Sequence, residues 1–159
     1  MKVTFLAILF FIFSCAHPLP SLRVIVQDGQ SSGSITFVRD DEGKERILTA
    51  YHVCEDQKAM YAVKEDEFIY LKVKKLNKAL HLCELSGEID TVYFPLSNQK
   101  TDDGIAYGYP GKNNFELYTV ELFYKGIILN RLYPGMVTPT TIYSGILRSG
   151  MSGGPTLNS

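Results

Sequence analysis

Apolar residues along the chain fall in short runs, at positions 22–26, 35–38, 47–50, 60–63, 68–73 and 80–85. The runs are rich in Val, Ile, Tyr, Phe and Thr, carry no sustained 3.6-residue period, and are separated by Gly, Asp and Asn, which predicts strands rather than helices. Asp40-Asp41-Glu42-Gly43-Lys44, between two of these runs, reads as a hairpin loop. The second half has the same style, with runs at 105–109, 117–123, 127–129 and 141–147 set off by Gly108, Pro110-Gly111, Lys125-Gly126 and Pro134-Gly135. No internal repeat is visible. The pattern predicts an all-β protein, sandwich or barrel. The polar interval after Leu96 is the best candidate for a crossing between two halves, so a boundary near Asn98 is expected, with 16–97 and 98–159 as the two parts.

The first residues follow a different rule. Met1-Lys2 gives a positive start, positions 3–13 are apolar except for Thr4, and small or polar residues follow, which is the pattern of a signal peptide over 1–15. About eleven apolar residues fall short of the roughly 20 that a membrane-spanning helix needs. Ile12-Phe13-Ser14-Cys15 is similar to a bacterial lipobox, which would leave a lipidated Cys15 and attachment to a membrane. Cleavage after Ala16 would instead release a free protein. The balance tips slightly to the lipid, and either way the expectation is export to the periplasm, the cell envelope or the medium. His17, beside the cleavage region, is not a catalytic candidate.

With 159 residues the chain suits one compact unit, or two small barrels sharing an interface. Lys plus Arg number 16 against 17 for Asp plus Glu, so there is no basic stripe to hold nucleic acid, and partners must be argued from a site. In an oxidising compartment Cys54 and Cys83 are the one pair left to join once Cys15 is lipidated or removed. Two buried free cysteines are the favoured expectation, with a disulfide as the alternative. Glu65-Asp66-Glu67 and Asp102-Asp103 read as solvated loop charges, and no metal is expected. His52 with Cys54, and His81 with Cys83, could converge on an ion only if their strands adjoin.

Chemistry concentrates in two places. Gly150-Met151-Ser152-Gly153-Gly154-Pro155 sets a serine in a glycine cluster, where backbone freedom lets the amides of Gly150 and Ser152 aim at one point, as an oxyanion hole requires. One hundred residues earlier, Ile47-Leu48-Thr49-Ala50-Tyr51-His52-Val53-Cys54 places a histidine just after an apolar run. A serine hydroxyl is a poor nucleophile until a neighbouring base takes its proton, and imidazole titrates in the right range.

Leu48-Thr49-Ala50-Tyr51-His52 resembles the histidine motif of trypsin-like, chymotrypsin-fold serine peptidases, and Gly150 to Pro155 resembles their serine motif. Gly33-Ser34-Ile35-Thr36-Phe37-Val38 is similar to the family's early glycine-serine element, and Gly108-Tyr109-Pro110 to a segment of its Deg-like bacterial branch. The resemblance spans about residues 32–155. It implies two antiparallel six-stranded β-barrels with a cleft between them, a peptide or protein as substrate, and no cofactor. It further implies that Ser152 attacks a carbonyl, that His52 takes and returns the proton, and that water releases the acyl-enzyme.

Three departures qualify this picture. The family's third residue is an aspartate opening a strand, and His81 stands in register with it, in His81-Leu82-Cys83-Glu84-Leu85. A neutral His81 could accept the hydrogen bond from the base but would bring no full charge. A triad completed by His81, rescue by Glu84 or Asp90, and a catalytically weak binding module remain open, with His81 favoured as orienting residue. Strand alternation puts His81 and Cys83 on one face and Glu84 on the other. Secondly, four residues follow Pro155 where the family continues through further strands, so the second barrel is expected to be incomplete, whether the sequence is partial or the domain vestigial. Thirdly, Met151 replaces the aspartate with which digestive members pair a new N-terminus. Ile146, at the position resembling the base of the substrate pocket, argues against preference for Lys or Arg.

Overall fold

A computed structural model of the chain describes residues 19–26, 32–96, 103–111, 116–133 and 136–158. The expected signal segment, Cys15, His17 and the boundary near Asn98 lie outside the described residues.

The first apolar runs become strands that close on themselves. β1 (Ser21–Val26) pairs with β2 (Ser32–Arg39) and with β4 (Ala59–Lys64); β5 (Glu67–Asn77) and β6 (Leu82–Ser86) continue the sheet to β3 (Glu45–Ala50), and β3 returns to β2. All six are antiparallel to their neighbours. β2 closes the circle by dividing one edge: residues 32–36 pair with β1, and Val38 and Arg39 pair in parallel with the two-residue β7 (Phe94–Pro95). Closure removes the open edges of a six-stranded sheet.

Alternation fills the barrel. Leu22 and Val24, Ile35 and Phe37, Met60 and Ala62, Cys83 and Leu85 point inward in pairs spaced by two, and all are buried. Each large apolar side chain so buried contributes about 1.5–3 kcal/mol. Phe37, fully buried, meets Tyr93 edge-on at 5.6 Å.

β3 runs straight into a single helical turn, α1 (Tyr51–Cys54). Residues 58 and beyond leave it for β4, but Cys54 stays behind: it is disulfide-bonded to Cys83, their Cα atoms 6.3 Å apart. The favoured expectation of two free thiols is thereby corrected. The β3–β6 register sets Thr49 opposite Cys83 and Ala50 opposite Leu82, so the chain turning at Tyr51 brings Cys54 back over Cys83. Sequence spacing does not contain that register.

The second half forms an antiparallel four-stranded sheet in the order β10-β9-β8-β11, from β8 (Asp103–Gly108), β9 (Tyr118–Tyr133), β10 (Met136–Ser144) and β11 (Thr156–Asn158). Ala106, Val120, Leu122 and Met151 form its small core. The runs at 117–123 and 127–129 are one strand, not two. Gly126 takes φ +136°, and Lys125 is an extra residue between the pairs Tyr124–Tyr143 and Gly126–Ile142, so Lys125-Gly126 makes a bulge rather than a break. The run at 80–85 also starts late: the Asn77 side chain accepts the Leu80 N–H at 3.0 Å and turns the chain, and β6 begins at Leu82.

Candidate active site

α1 shows how one turn can expose one side chain. Ala50 precedes it with extended geometry, φ −72° and ψ 145°. Val53 and Cys54 are buried and anchor the turn, whereas His52 is left exposed. The Tyr51 N–H donates to the carbonyl of His81 at 2.8 Å. His81 itself lies in the turn before β6, exposed and with φ +52°, and its ring meets that of Tyr51 edge-on at 6.4 Å. The structure thus brings the two histidine-bearing turns together through Tyr51, the residue before His52.

Glu84 goes elsewhere. Its carboxylate receives Lys74 Nζ at 2.6 Å and Arg46 Nη1 at 3.4 Å on the outer wall of the barrel, opposite in face to the buried Cys83. The Lys74 hydrogen bond, with the charges of Lys74 and Arg46, holds the Glu84 carboxyl below the usual range against the opposing effect of burial. Asp90 is exposed, and its backbone carbonyl receives Lys64 Nζ at 2.6 Å. The disulfide occupies both cysteine sulfurs, so neither is a thiolate available to a metal.

The serine segment begins after β10. Ile146 is 80 % exposed, so it does not pack into a core as an interior strand residue would. Arg148 lies over the Tyr118 ring at 4.5 Å and fixes the approach to the loop. Gly150 has φ +99°, and a β-carbon there would meet the Tyr109 carbonyl oxygen at 2.5 Å and the Gly111 nitrogen at 2.8 Å. Met151 is buried with Ala106, Val120 and Leu122, so its apolar side chain anchors the loop to the second sheet.

Ser152 is half-buried, and its carbonyl accepts the Ser34 N–H at 2.8 Å. Gly153, at φ +89°, lies so close to the Ser34 carbonyl, the Thr49 hydroxyl and the Ala50 nitrogen that no β-carbon fits. A β-carbon on Gly33 would sit 2.8 Å from Val53 of α1 and 3.1 Å from the Ser152 carbonyl. The backbone of Ser152–Gly153 therefore packs on the end of β3, two residues before His52, although the two segments are a hundred residues apart in the chain.

Ser34 stands at the centre of this junction. It is fully buried; its hydroxyl donates to the Gly150 carbonyl at 3.0 Å and accepts the Tyr109 N–H at 2.9 Å, and its own carbonyl accepts the Thr49 hydroxyl at 2.7 Å. Sequence reading marked Ser34 only as part of a motif, and it missed Thr49 and Gly111 as contributors. A serine leading into an apolar strand run was the one available signal.

No protein-family model and no curated protein sequence matches the chain. Solved structures do. The chain is similar to Rv3671c from M. tuberculosis H37Rv, in the inactive form of a serine-to-alanine mutant, with a TM-score of 0.68 and 15 % identity over 86 % of this chain and 68 % of that one. A human pathogenic astrovirus serine protease matches with TM-score 0.63 and 17 % identity, covering 89 % of this chain and 78 % of that one. Deg5 matches with TM-score 0.63 and 21 % identity, covering 87 % and 74 %. A closed six-stranded barrel joined to a second antiparallel sheet, in the arrangement these structures share, gives the chain the all-β fold of the trypsin-like, chymotrypsin-fold serine proteases.

Proposed function

We propose that the chain is a trypsin-like serine endopeptidase acting through an acyl-enzyme on Ser152. The observation that carries this reading is the packing of Ser152–Gly153 against the end of β3, where α1 and its exposed His52 begin. His52 takes the proton from the Ser152 hydroxyl as its oxygen bonds to the substrate carbonyl carbon. The resulting oxyanion is received by the amides of Gly150 and Ser152. His52 then gives the proton to the leaving nitrogen as the C–N bond breaks, and a water molecule repeats the sequence to free the acid. His81 acts as an orienting residue on the His52 turn, and exposed Ile146 offers an apolar contact to substrate. The substrate is a protein or peptide outside the cytoplasm, with the enzyme exported or held at the envelope by a lipid on Cys15.

Purified protein is expected to react covalently with a fluorophosphonate probe, and Ser152→Ala and His52→Ala are each expected to abolish the reaction. Wild-type protein that resists the probe overturns the proposal. A second reading, a binding module that retains the fold, is favoured by one observation: the ring of His81, the residue that the sequence resemblance sets in register with the family's aspartate, lies against Tyr51. His81→Asp separates the two. Faster labelling than wild type shows intact machinery held back at one position, and no labelling by either form favours the module.

A further inference from the structure

Gly150 and Ser152 can receive an oxyanion only if their N–H bonds point the right way, and a glycine-rich loop does not by itself hold them there. Four consecutive carbonyls of this loop each accept a hydrogen bond. Ser149 accepts from the Gly111 N–H at 2.7 Å, Gly150 from the Ser34 hydroxyl at 3.0 Å, Met151 from the Gly154 N–H at 3.1 Å, and Ser152 from the Ser34 N–H at 2.8 Å. In a planar trans peptide the C=O and the next N–H point in opposite directions. Holding the Ser149 carbonyl therefore aims the Gly150 amide, and holding the Met151 carbonyl aims the Ser152 amide, away from the donors that hold them. The amide between them is aimed inward, to the Arg148 carbonyl at 3.2 Å.

Two of the four bonds come from Ser34, and its hydroxyl has no choice of direction. The Tyr109 N–H can only donate and the Gly150 carbonyl can only accept, so the one hydroxyl proton goes to Gly150. Ser34 is fully buried and bonded through its own carbonyl to Thr49. The Tyr109-Pro110-Gly111 turn is thus fastened to the loop twice, through Ser34 and through the Gly111 amide. Resting on the peptidase reading above, we infer that Ser34 is a positioning residue: by holding the Gly150 and Ser152 carbonyls it fixes the peptides next to the two donor amides, whose own peptides the Gly111 and Gly154 N–H groups hold, so that the anion-accepting pair is built into the fold before substrate arrives and needs no activating event.

The test compares wild type, Ser34→Ala and Ser21→Ala with an alkyl fluorophosphonate, separating the affinity of the encounter (KI) from the rate of bond formation (kinact). Ser21 is an equally buried serine, donating to the Ile35 carbonyl at 2.7 Å within the first barrel, and serves as the structural control. Ser34→Ala is expected to lower kinact by about 10- to 100-fold with KI within about twofold, less than the roughly 100- to 1000-fold cost of losing an oxyanion donor outright, while Ser21→Ala keeps both. A Ser34→Ala protein that reacts at the wild-type rate, or slows no more than Ser21→Ala, overturns the inference. The amide resonances of Gly150 and Ser152 in unliganded wild type give a second measurement that needs no variant to fold. Single resonances without millisecond exchange are expected, and exchange between two loop states overturns the inference. Wild type that is never labelled overturns the peptidase reading instead, and the resonances then decide whether the loop is held.

Discussion

Gly150 meets two separate demands, a backbone angle that disfavours side chains and a space that excludes one. Gly43 meets only the first: its φ is +79°, and nothing lies within 4 Å of where a β-carbon would stand. The pair separates the two costs. Gly43→Ala is expected to cost about 1–3 kcal/mol of strain and to keep probe labelling. Gly150→Ala carries the same strain and also drives a methyl into the Tyr109 carbonyl, so its melting midpoint is expected to fall further and labelling to be lost. Differential scanning calorimetry with parallel labelling checks both, and a Gly150→Ala protein that labels normally would refute the crowding. At this scale the sequence displayed Ser152 and His52 because a serine among glycines and a histidine after a strand run are unusual settings. Ser34 and Thr49 looked like ordinary strand residues, since their roles depend on hydrogen bonds that only the packing of one half against the other creates. Met151 was read by what it replaces, and the fold shows instead what it does, which is to anchor the loop.

Between elements, β6 is tied to its neighbours by one carboxylate. Lys74 is the extra residue between the pairs Val73–Leu85 and Lys75–Glu84, and the bulge brings its ammonium to Glu84, which also meets Arg46 of β3. Asp40, at the β2–β3 loop, bonds Arg46 from the other side, and both carboxyls are held below their usual range, Asp40 first by its Arg46 hydrogen bond and Glu84 first by Lys74. A depressed carboxyl stabilises the fold fully above its unfolded value, about 4, and loses that contribution as pH falls through the lower folded value. The melting midpoint is therefore expected to drop as pH falls below about 4. Glu84→Gln should be less stable at pH 7 yet show a shallower acid decline; parallel curves would refute the assignment. The Cys54–Cys83 bridge ties β6 to α1 from inside the barrel. It closes a loop of 29 residues, so Cys54→Ser with Cys83→Ser is expected to lose roughly 3–4 kcal/mol in chemical denaturation. The strand runs were readable because alternation is local. The bulge at Lys125-Gly126 was not, because a glycine marks a break and a bulge alike until the partner strand is known, and the disulfide was hidden in the β3–β6 register.

Taken whole, the molecule is two β-bodies whose junction is polar, and this is why the site can form between segments remote in sequence. Composition and pattern announced two β-rich halves, but the order of strands around the barrel depends on pairings across tens of residues, and neither the closure by β2 nor the seating of the second sheet on it is a local property. Tyr109 also joins the halves: it is buried, and its hydroxyl donates to the Ser21 carbonyl of β1 at 3.2 Å. Burial pushes its phenol up from the ordinary value near 10, as it does for Tyr93 beneath Phe37. Only the neutral phenol can donate, and an ionised one would bring charge into the junction. A raised phenol favours the folded state fully below about pH 10, and that contribution is lost as pH climbs through the higher folded value. Tyr109→Phe is expected to cost about 1 kcal/mol at pH 7, the worth of one buried hydrogen bond. It should also flatten, though not abolish, the alkaline fall in stability above pH 10, because Tyr93 still titrates. Urea denaturation from pH 8 to 11, alongside ultraviolet titration of the phenols, follows both effects, and an unchanged alkaline slope in Tyr109→Phe would show that the two bodies are not joined through this hydroxyl.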